Sequence, residues 1–200
     1  MTWQSVAVLG TTLVGLGSLL HATPTDSAIA ELFARALQGD ERAVVNCISA
    51  LEAKLAIQPG NQLARVYLGS TWTLRSRDLP IGLGKLSALR RGITLMDEAA
   101  AAAPNNADVL LLRAVTNEAL PAFLGQRKVA HAQLDELVAR LEKGSAKLKP
   151  ADQQLLYLNA GDAAKRAGKK ERARDLWQRG AALKADAKLT QEIAAALAQP

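Results

Sequence analysis

The sequence offers few side chains that could carry out a reaction. It contains two histidines, His21 and His131, and one cysteine, Cys47. No second nitrogen or sulfur ligand stands at metal-binding spacing from His131, which we expect to pair at the helix surface with Asp135, one helical turn on. Cys47 falls on the apolar side of a helical pattern, so we expect it in the core.

Two short motifs resemble catalytic patterns but lack essential members. Residues 82–85, Gly-Leu-Gly-Lys, match the end of a phosphate-binding loop, yet Leu86 follows where a serine or threonine would hold the metal. Asp97 and Glu98 are adjacent, and adjacent side chains on a helix point about 100° apart, so they cannot act on one substrate. We therefore predict no catalytic residue, no metal site and no bound cofactor.

One polar group lies in an otherwise apolar segment, residues 107–120. Arg113, Asn117 and Glu118 fall one helical turn apart, so Arg113 could reach either partner. Pro121 then breaks the helix and starts a bent, apolar corner. The group is either an internal polar tie or a ligand site, and the sequence favours the tie.

The pattern of small and bulky residues predicts how the helices pair. Residues 156–186 form two amphipathic blocks that meet at Gly168. Gly161 and Ala173 leave room for two helix backbones to approach, and Trp177 is large enough to fill the space beside them. This unit predicts an antiparallel helix pair.

The unit resembles the tetratricopeptide repeat, a helix pair of about 34 residues. Leu68, Gly69 and Trp72 match the same pattern upstream, and Pro59 and Pro104 stand where such repeats close. The repeat between these prolines is too long, and we expect the surplus in a loop at residues 75–84. The resemblance implies an all-α superhelix of about three degenerate helix pairs, within a domain at residues 26–198, and residues 188–198 are expected to form a capping helix.

The resemblance also implies a concave wall, formed by the first helix of each pair, that binds a protein or peptide. Together with the polar group at residues 113–118, it gives the candidate partner-binding residues. These are Ser70, Thr73, Asp108, Arg113, Asn117, Glu118, Asp162, Lys165 and Arg166.

Positive charge is concentrated in the C-terminal part of the chain. The formal net charge is +6, and residues 165–174 contain six lysines and arginines but a single acidic residue, Glu171. Such a cluster suits nucleic acid or anionic lipid, or is a solvated turn with local ion pairs. Trp177 and Tyr157 occupy core positions of the repeat and are not free to stack on bases. We therefore favour the solvated turn and predict no nucleic-acid partner.

The first 22 residues suggest export. Residues 6–20 are apolar and uncharged, which as a helix spans about 22 Å and falls short of a bilayer core of about 30 Å. A cleaved signal peptide fits this segment best. An uncleaved N-terminal anchor is the second interpretation, and a buried capping helix is the third. Membrane contact is then expected only through residues 1–22, if they are retained.

Three functional hypotheses follow. The favoured one is a scaffold of the bacterial envelope or periplasm that binds another protein. The second is an accessory ligand-binding subunit of a transport system, which would need an enclosed pocket near Arg113 and Asn117. The third is a membrane-anchored adaptor, which an intact Met1 in the membrane fraction would favour.

Overall fold

The computed structural model describes residues 26–198, which form nine α-helices and one short 3-10 turn and contain no strand. The predicted signal peptide or anchor at residues 1–22 lies outside the described residues. The helices are α1 (Asp26–Leu37), α2 (Glu41–Ile57), α3 (Gln62–Asp78), α4 (Leu83–Ala102), α5 (Ala107–Ala119), α6 (Gln126–Glu142), α7 (Pro150–Arg166), α8 (Lys170–Leu183) and α9 (Ala187–Leu197), and the 3-10 turn is Ala122–Leu124.

Side-chain caps define where several helices begin. Asp40 and Asn61 accept hydrogen bonds from the backbone N–H groups three residues on, at 2.9 Å in both cases. Asn106 and Asp186 cap α5 and α9 in the same way. Each cap satisfies a backbone donor that would otherwise lack a partner, and such a cap contributes about 1 kcal/mol.

The helices pair in sequence and build two layers. Helices α1 and α2, α3 and α4, α5 and α6, and α7 and α8 are antiparallel pairs, and α9 packs after the last pair. The first helices of successive pairs contact one another, so α1, α3, α5, α7 and α9 form an inner layer. The others form the outer layer of the superhelix. The all-α superhelix is confirmed. The described residues hold four helix pairs rather than about three, since α1 and α2 form an additional pair before the repeat-like units.

Glycines permit the closest helix contacts. A Cβ atom added to Gly69 would lie 2.6 Å from Met96 Cγ and 2.7 Å from the carbonyl oxygen of Gly92. Gly92 faces the same contact from α4, and Gly161 in α7 lies directly against the indole of Trp177. Small residues at these crossings therefore let the inner and outer helices pack at backbone distance.

The prediction of a loop at residues 75–84 was wrong. Helix α3 continues through Asp78 and α4 begins at Leu83, so the surplus residues lengthen both helices. Lys85 donates hydrogen bonds from Nζ to the carbonyl oxygens of Arg77 and Leu79, at 3.2 and 3.0 Å. These bonds satisfy carbonyls at the end of α3 and confine the break to the segment that contains Pro80.

Helix α9 covers the last pair, as predicted. Ile193 is fully buried, and its Cδ1 would lie 2.9 Å from a Cβ atom at Gly180 of α8. The core is thus closed at its C-terminal end by a single amphipathic helix.

Cys47 is also buried, as expected, and burial raises the pKa of its thiol.

The glycine contacts give a stability prediction. Gly69→Ala should lower the free energy of unfolding by about 1–3 kcal/mol, because the added methyl group collides with Met96 and with the backbone of α4. Urea denaturation followed by circular dichroism measures the change.

Gly84→Ala is the matched control, since nothing lies within 4 Å of a Cβ atom at this helical position. It should leave stability unchanged or raise it by about 0.5–1 kcal/mol. Equal effects of the two substitutions would contradict the proposed packing.

Candidate partner-binding surface

The concave face holds an open groove between α7 and α9, which we call the C-terminal groove. Its volume is about 610 Å³. The floor is apolar and the rim carries both signs of charge. The lining residues are Leu158, Asp162, Lys165, Arg166, Trp177, Glu192, Ala195 and Ala196.

Trp177 reaches the groove from the outer helix α8. Its indole passes over Gly161, and its Nε1–H donates to the carbonyl oxygen of Leu158 at 3.3 Å and to Asp162 Oδ1 at 3.2 Å. Lys165 Nζ lies 5.8 Å from the centre of the ring system. One side chain therefore fills the core and also forms the groove floor.

The carboxyl group of Asp162 lies in an unfavourable environment. Burial raises its pKa above the ordinary value, and the nearby Glu118 raises it further. Arg166, the hydrogen bond from Trp177 and Lys165 act in the opposite direction, without cancelling the effect of burial. A cationic group brought by a partner would favour the ionised form of Asp162.

Glu118 is the most deeply buried charged residue of this region. Its side chain is 4% exposed and forms an ion pair with Arg166 of α7. On its other side, its Oε2 lies 2.9 Å from Nε2 of His131, a residue of α6. Neither of these two atoms has a hydrogen-bond partner among the described residues, so their contact is one of proximity. Glu118 thus links α5, α6 and α7 beside the C-terminal groove.

A second groove lies at the other end of the concave face. We call it the N-terminal groove; its volume is about 310 Å³, and its walls include Tyr67 of α3 and Lys149 before α7. Burial raises the pKa of Tyr67, and the charges of Asp152 and Asp108 raise it further. The pKa of Asp152 is raised by its own burial and then by Asp108. Asp108 and Asp152 thus form an acidic group near Tyr67, whereas the charged residues that line the groove itself are Asp26, Lys54 and Lys149.

The structure brings four of the predicted residues together. Asp162, Lys165 and Arg166 line the C-terminal groove, and Glu118 lies buried beside it, paired with Arg166. Asp108 is exposed and lies with the acidic group of the N-terminal end.

Four other predicted residues contribute to internal packing. Ser70 is buried and shares a 2.9 Å hydrogen bond with Thr116, and Thr73 is buried against Gly92. Asn117 is fully buried, with no hydrogen-bond partner for either side-chain atom among the described residues. Arg113 contacts neither Asn117 nor Glu118, because it extends between outer helices.

The partners of Arg113 come from the neighbouring helices. Its Nη2 lies 2.7 Å from Asp97 of α4, and its Nη1 donates to Gln133 of α6 at 3.0 Å. The expected pairing of His131 with Asp135 is likewise replaced by the contact with Glu118. Side chains one turn apart can meet on a single helix, but here the contacts across helices prevail.

Sequence reasoning missed the wall that α9 contributes. Glu192 and Ala195 are exposed on this helix, and Ala196 packs beside them. The amphipathic pattern of residues 188–198 identified the covering role of the helix and gave no sign of a groove. The small side chains at 195 and 196, which leave open space beside Trp177, were the available signal.

Among residues 26–198, no group of three or more histidine, cysteine, aspartate or glutamate side chains could hold a metal ion. The helices of this described part are also too short or too polar for any of them to cross a lipid bilayer.

The architecture is similar to that of a solved structure. A thermophilic TPR protein of Thermus thermophilus superposes on the chain with a TM-score of 0.60, and the match covers 87% of this chain and 91% of that one. The chain has a tetratricopeptide-repeat fold. Sequence identity to this tetratricopeptide-repeat protein is 19%, so the likeness concerns the fold alone. No protein-family profile and no curated protein sequence matches the chain.

The buried ion-pair group gives a second prediction. Glu118→Ala should lower the free energy of unfolding by about 1–3 kcal/mol, because Arg166 and His131 lose their shared partner and three helices lose a link. Asp135→Ala removes an exposed carboxylate from α6 and should change stability by less than about 0.5 kcal/mol. Chemical denaturation of both variants distinguishes the observed pairing of His131 from the pairing expected from sequence.

The environment of Asp162 predicts a dependence on pH. A carboxyl group whose pKa is raised by folding binds its proton more tightly in the folded state, so it destabilises the fold at pH values above that pKa. Asp162→Asn keeps an acceptor for Trp177 and should be at least as stable as the parent at neutral pH. This advantage should shrink as the pH falls from neutral through the raised pKa of Asp162, because the carboxyl group then takes up its proton.

Urea titrations followed by tryptophan fluorescence across this pH range measure the difference. An advantage of Asp162→Asn that grows on acidification would contradict the assignment.

Proposed function

We propose that the chain is a non-catalytic helical-repeat scaffold that binds a segment of another protein along its concave face. The observation that carries this proposal is the C-terminal groove, which combines an apolar floor with a rim of both charges. Such a surface suits a peptide that buries apolar side chains and places charged ones at the edge. The tetratricopeptide-repeat fold supports the same function at the level of architecture.

The shape of the concave face favours a peptide over a small molecule. The C-terminal groove is an open trough between the inner helices α7 and α9, and the N-terminal groove lies among α1, α2 and α3. The alternative of an accessory ligand-binding subunit required an enclosed pocket near Arg113 and Asn117, and neither residue lines either groove. Arg113 is instead occupied by Asp97 and Gln133.

The acidic groups of the concave face already have structural partners. Glu118 is bound to Arg166 and lies against His131, and Asp162 accepts a hydrogen bond from Trp177. These contacts position side chains and leave neither carboxylate poised as a general base. We therefore keep a binding role for the site.

The proposed location is the bacterial envelope or periplasm, and its support is the apolar, uncharged segment at residues 6–20. A scaffold held at the membrane by an uncleaved segment is the second candidate. Both are compatible with a partner bound on the concave face.

A matched pair of substitutions on α9 tests the binding surface. Ala195 lines the C-terminal groove, whereas its exposed neighbour Ala194 does not. A photocrosslinking amino acid at position 192 should capture the partner in native cells, and mass spectrometry identifies it. The affinity of the purified partner is then measured by calorimetry.

Ala195→Arg should weaken binding by about tenfold or more, because the new side chain occupies the groove. Ala194→Arg adds the same charge outside the groove and should leave the affinity unchanged. Equal affinities for the two variants and the parent would exclude the groove as the binding site.

A further inference from the structure

The turns that join inner to outer helices lie along one edge of the superhelix. Each short turn reverses the chain, so the inner helices run parallel and all end at the same side. Two contacts between neighbouring inner helices confirm this alignment. Arg77 Nη2 at the end of α3 donates to the carbonyl oxygen of Ala36 at the end of α1, at 3.2 Å, and Arg166 of α7 pairs with Glu118 of α5.

We call this side the turn edge and define it by residues 79–86, 120–129 and 165–174. Large apolar side chains protrude from its first two segments. Ile81 is 97% exposed, Leu83 86% and Phe123 85%. Leu86 and Val129 are exposed beside them. None of these residues lines either groove of the concave face. The turn edge therefore carries large apolar side chains, here called apolar tips, that stand apart from the two grooves.

The same edge carries exposed positive charge. Lys128 stands beside the second turn, and Lys169, Lys170 and Arg174 surround the third. These four side chains form no ion pair among the described residues, in contrast to Arg166 and Arg172 of the same region. Lys170 and Arg174 also border a groove of about 240 Å³ whose floor includes Leu197.

We propose that the turn edge is a docking surface for an anionic lipid bilayer. Protruding apolar tips can insert singly into the interfacial region of a bilayer, because lipids rearrange around each side chain. A folded protein would need a matching pocket for every tip. The basic residues beside the tips complement anionic headgroups. The turn edge is separate from the concave face, so a docked molecule keeps its grooves accessible. This membrane contact is additional to the one predicted for residues 1–22.

Vesicle binding by the full-length chain tests the proposal. Sedimentation with vesicles that contain phosphatidylglycerol should exceed sedimentation with pure phosphatidylcholine vesicles by about tenfold, and added salt should reduce the difference. The triple variant Ile81→Ser, Leu83→Ser, Phe123→Ser and the triple variant Lys169→Gln, Lys170→Gln, Arg174→Gln should each lose most of this excess.

The control variant Ile57→Ser removes an exposed apolar side chain at the opposite end of α2, away from the turn edge, and should keep the full excess. Circular dichroism establishes that every variant is folded. Equal binding of the parent to both kinds of vesicle, or an excess that survives both triple substitutions, would overturn the proposal. So would a preference of the parent for single-stranded DNA over anionic vesicles.

A fluorescent label separates docking by the turn edge from binding through residues 1–22. The natural Cys47 is buried, so a thiol-reactive, polarity-sensitive dye can be placed at Leu83→Cys. Its emission should shift to shorter wavelength on anionic vesicles and be quenched by spin-labelled lipid, whereas the same dye at Ile57→Cys, at the opposite end of α2, should not respond. A dye at position 83 that stays in water while the protein sediments with vesicles would refute the assignment.

Discussion

The structure depends on the close approach of inner and outer helices at a few positions without large side chains. Gly69 and Gly92 place two backbones in contact, and Gly161 gives Trp177 a place to lie. An inner helix that packs this closely against its outer partner presents its opposite side to the concave face. The same contacts that stabilise each pair therefore determine which residues are available to a partner.

Core packing and the proposed binding surface share residues at the C-terminal groove. Trp177 is only 5% exposed, and its one polar atom contacts Leu158 and Asp162 at the groove. Helix α9 likewise covers the core with Ile193 and forms a groove wall with Ala195. The end of the repeat array is thus a cap for the core and a wall of the proposed binding groove at once, so substitutions there affect both.

Sequence predicted the elements better than it predicted the site. Helix starts were readable because Asp40, Asn61 and Asn106 cap them with their own side chains, a local interaction. Helix pairs were readable because small residues recur at fixed spacing. The length of α3 could not be predicted from the sequence, because its end is held by Lys85, a residue of the next helix. The arrangement of the site depends on contacts between helices, and the spacing of residues along one helix does not reveal these contacts. Arg113, for example, binds Asp97 of α4 instead of its neighbours on α5.

Charge is divided between the two surfaces in a way that follows from this packing. On the concave face, acids and bases neutralise one another, because Glu118 is too deeply buried to remain without Arg166. At the turn edge the chain leaves the layers, the lysines and Arg174 are hydrated, and burial imposes no pairing. Four cations that form no ion pair within residues 26–198 therefore stand along the same edge as the exposed apolar side chains, where one amphipathic partner can meet both.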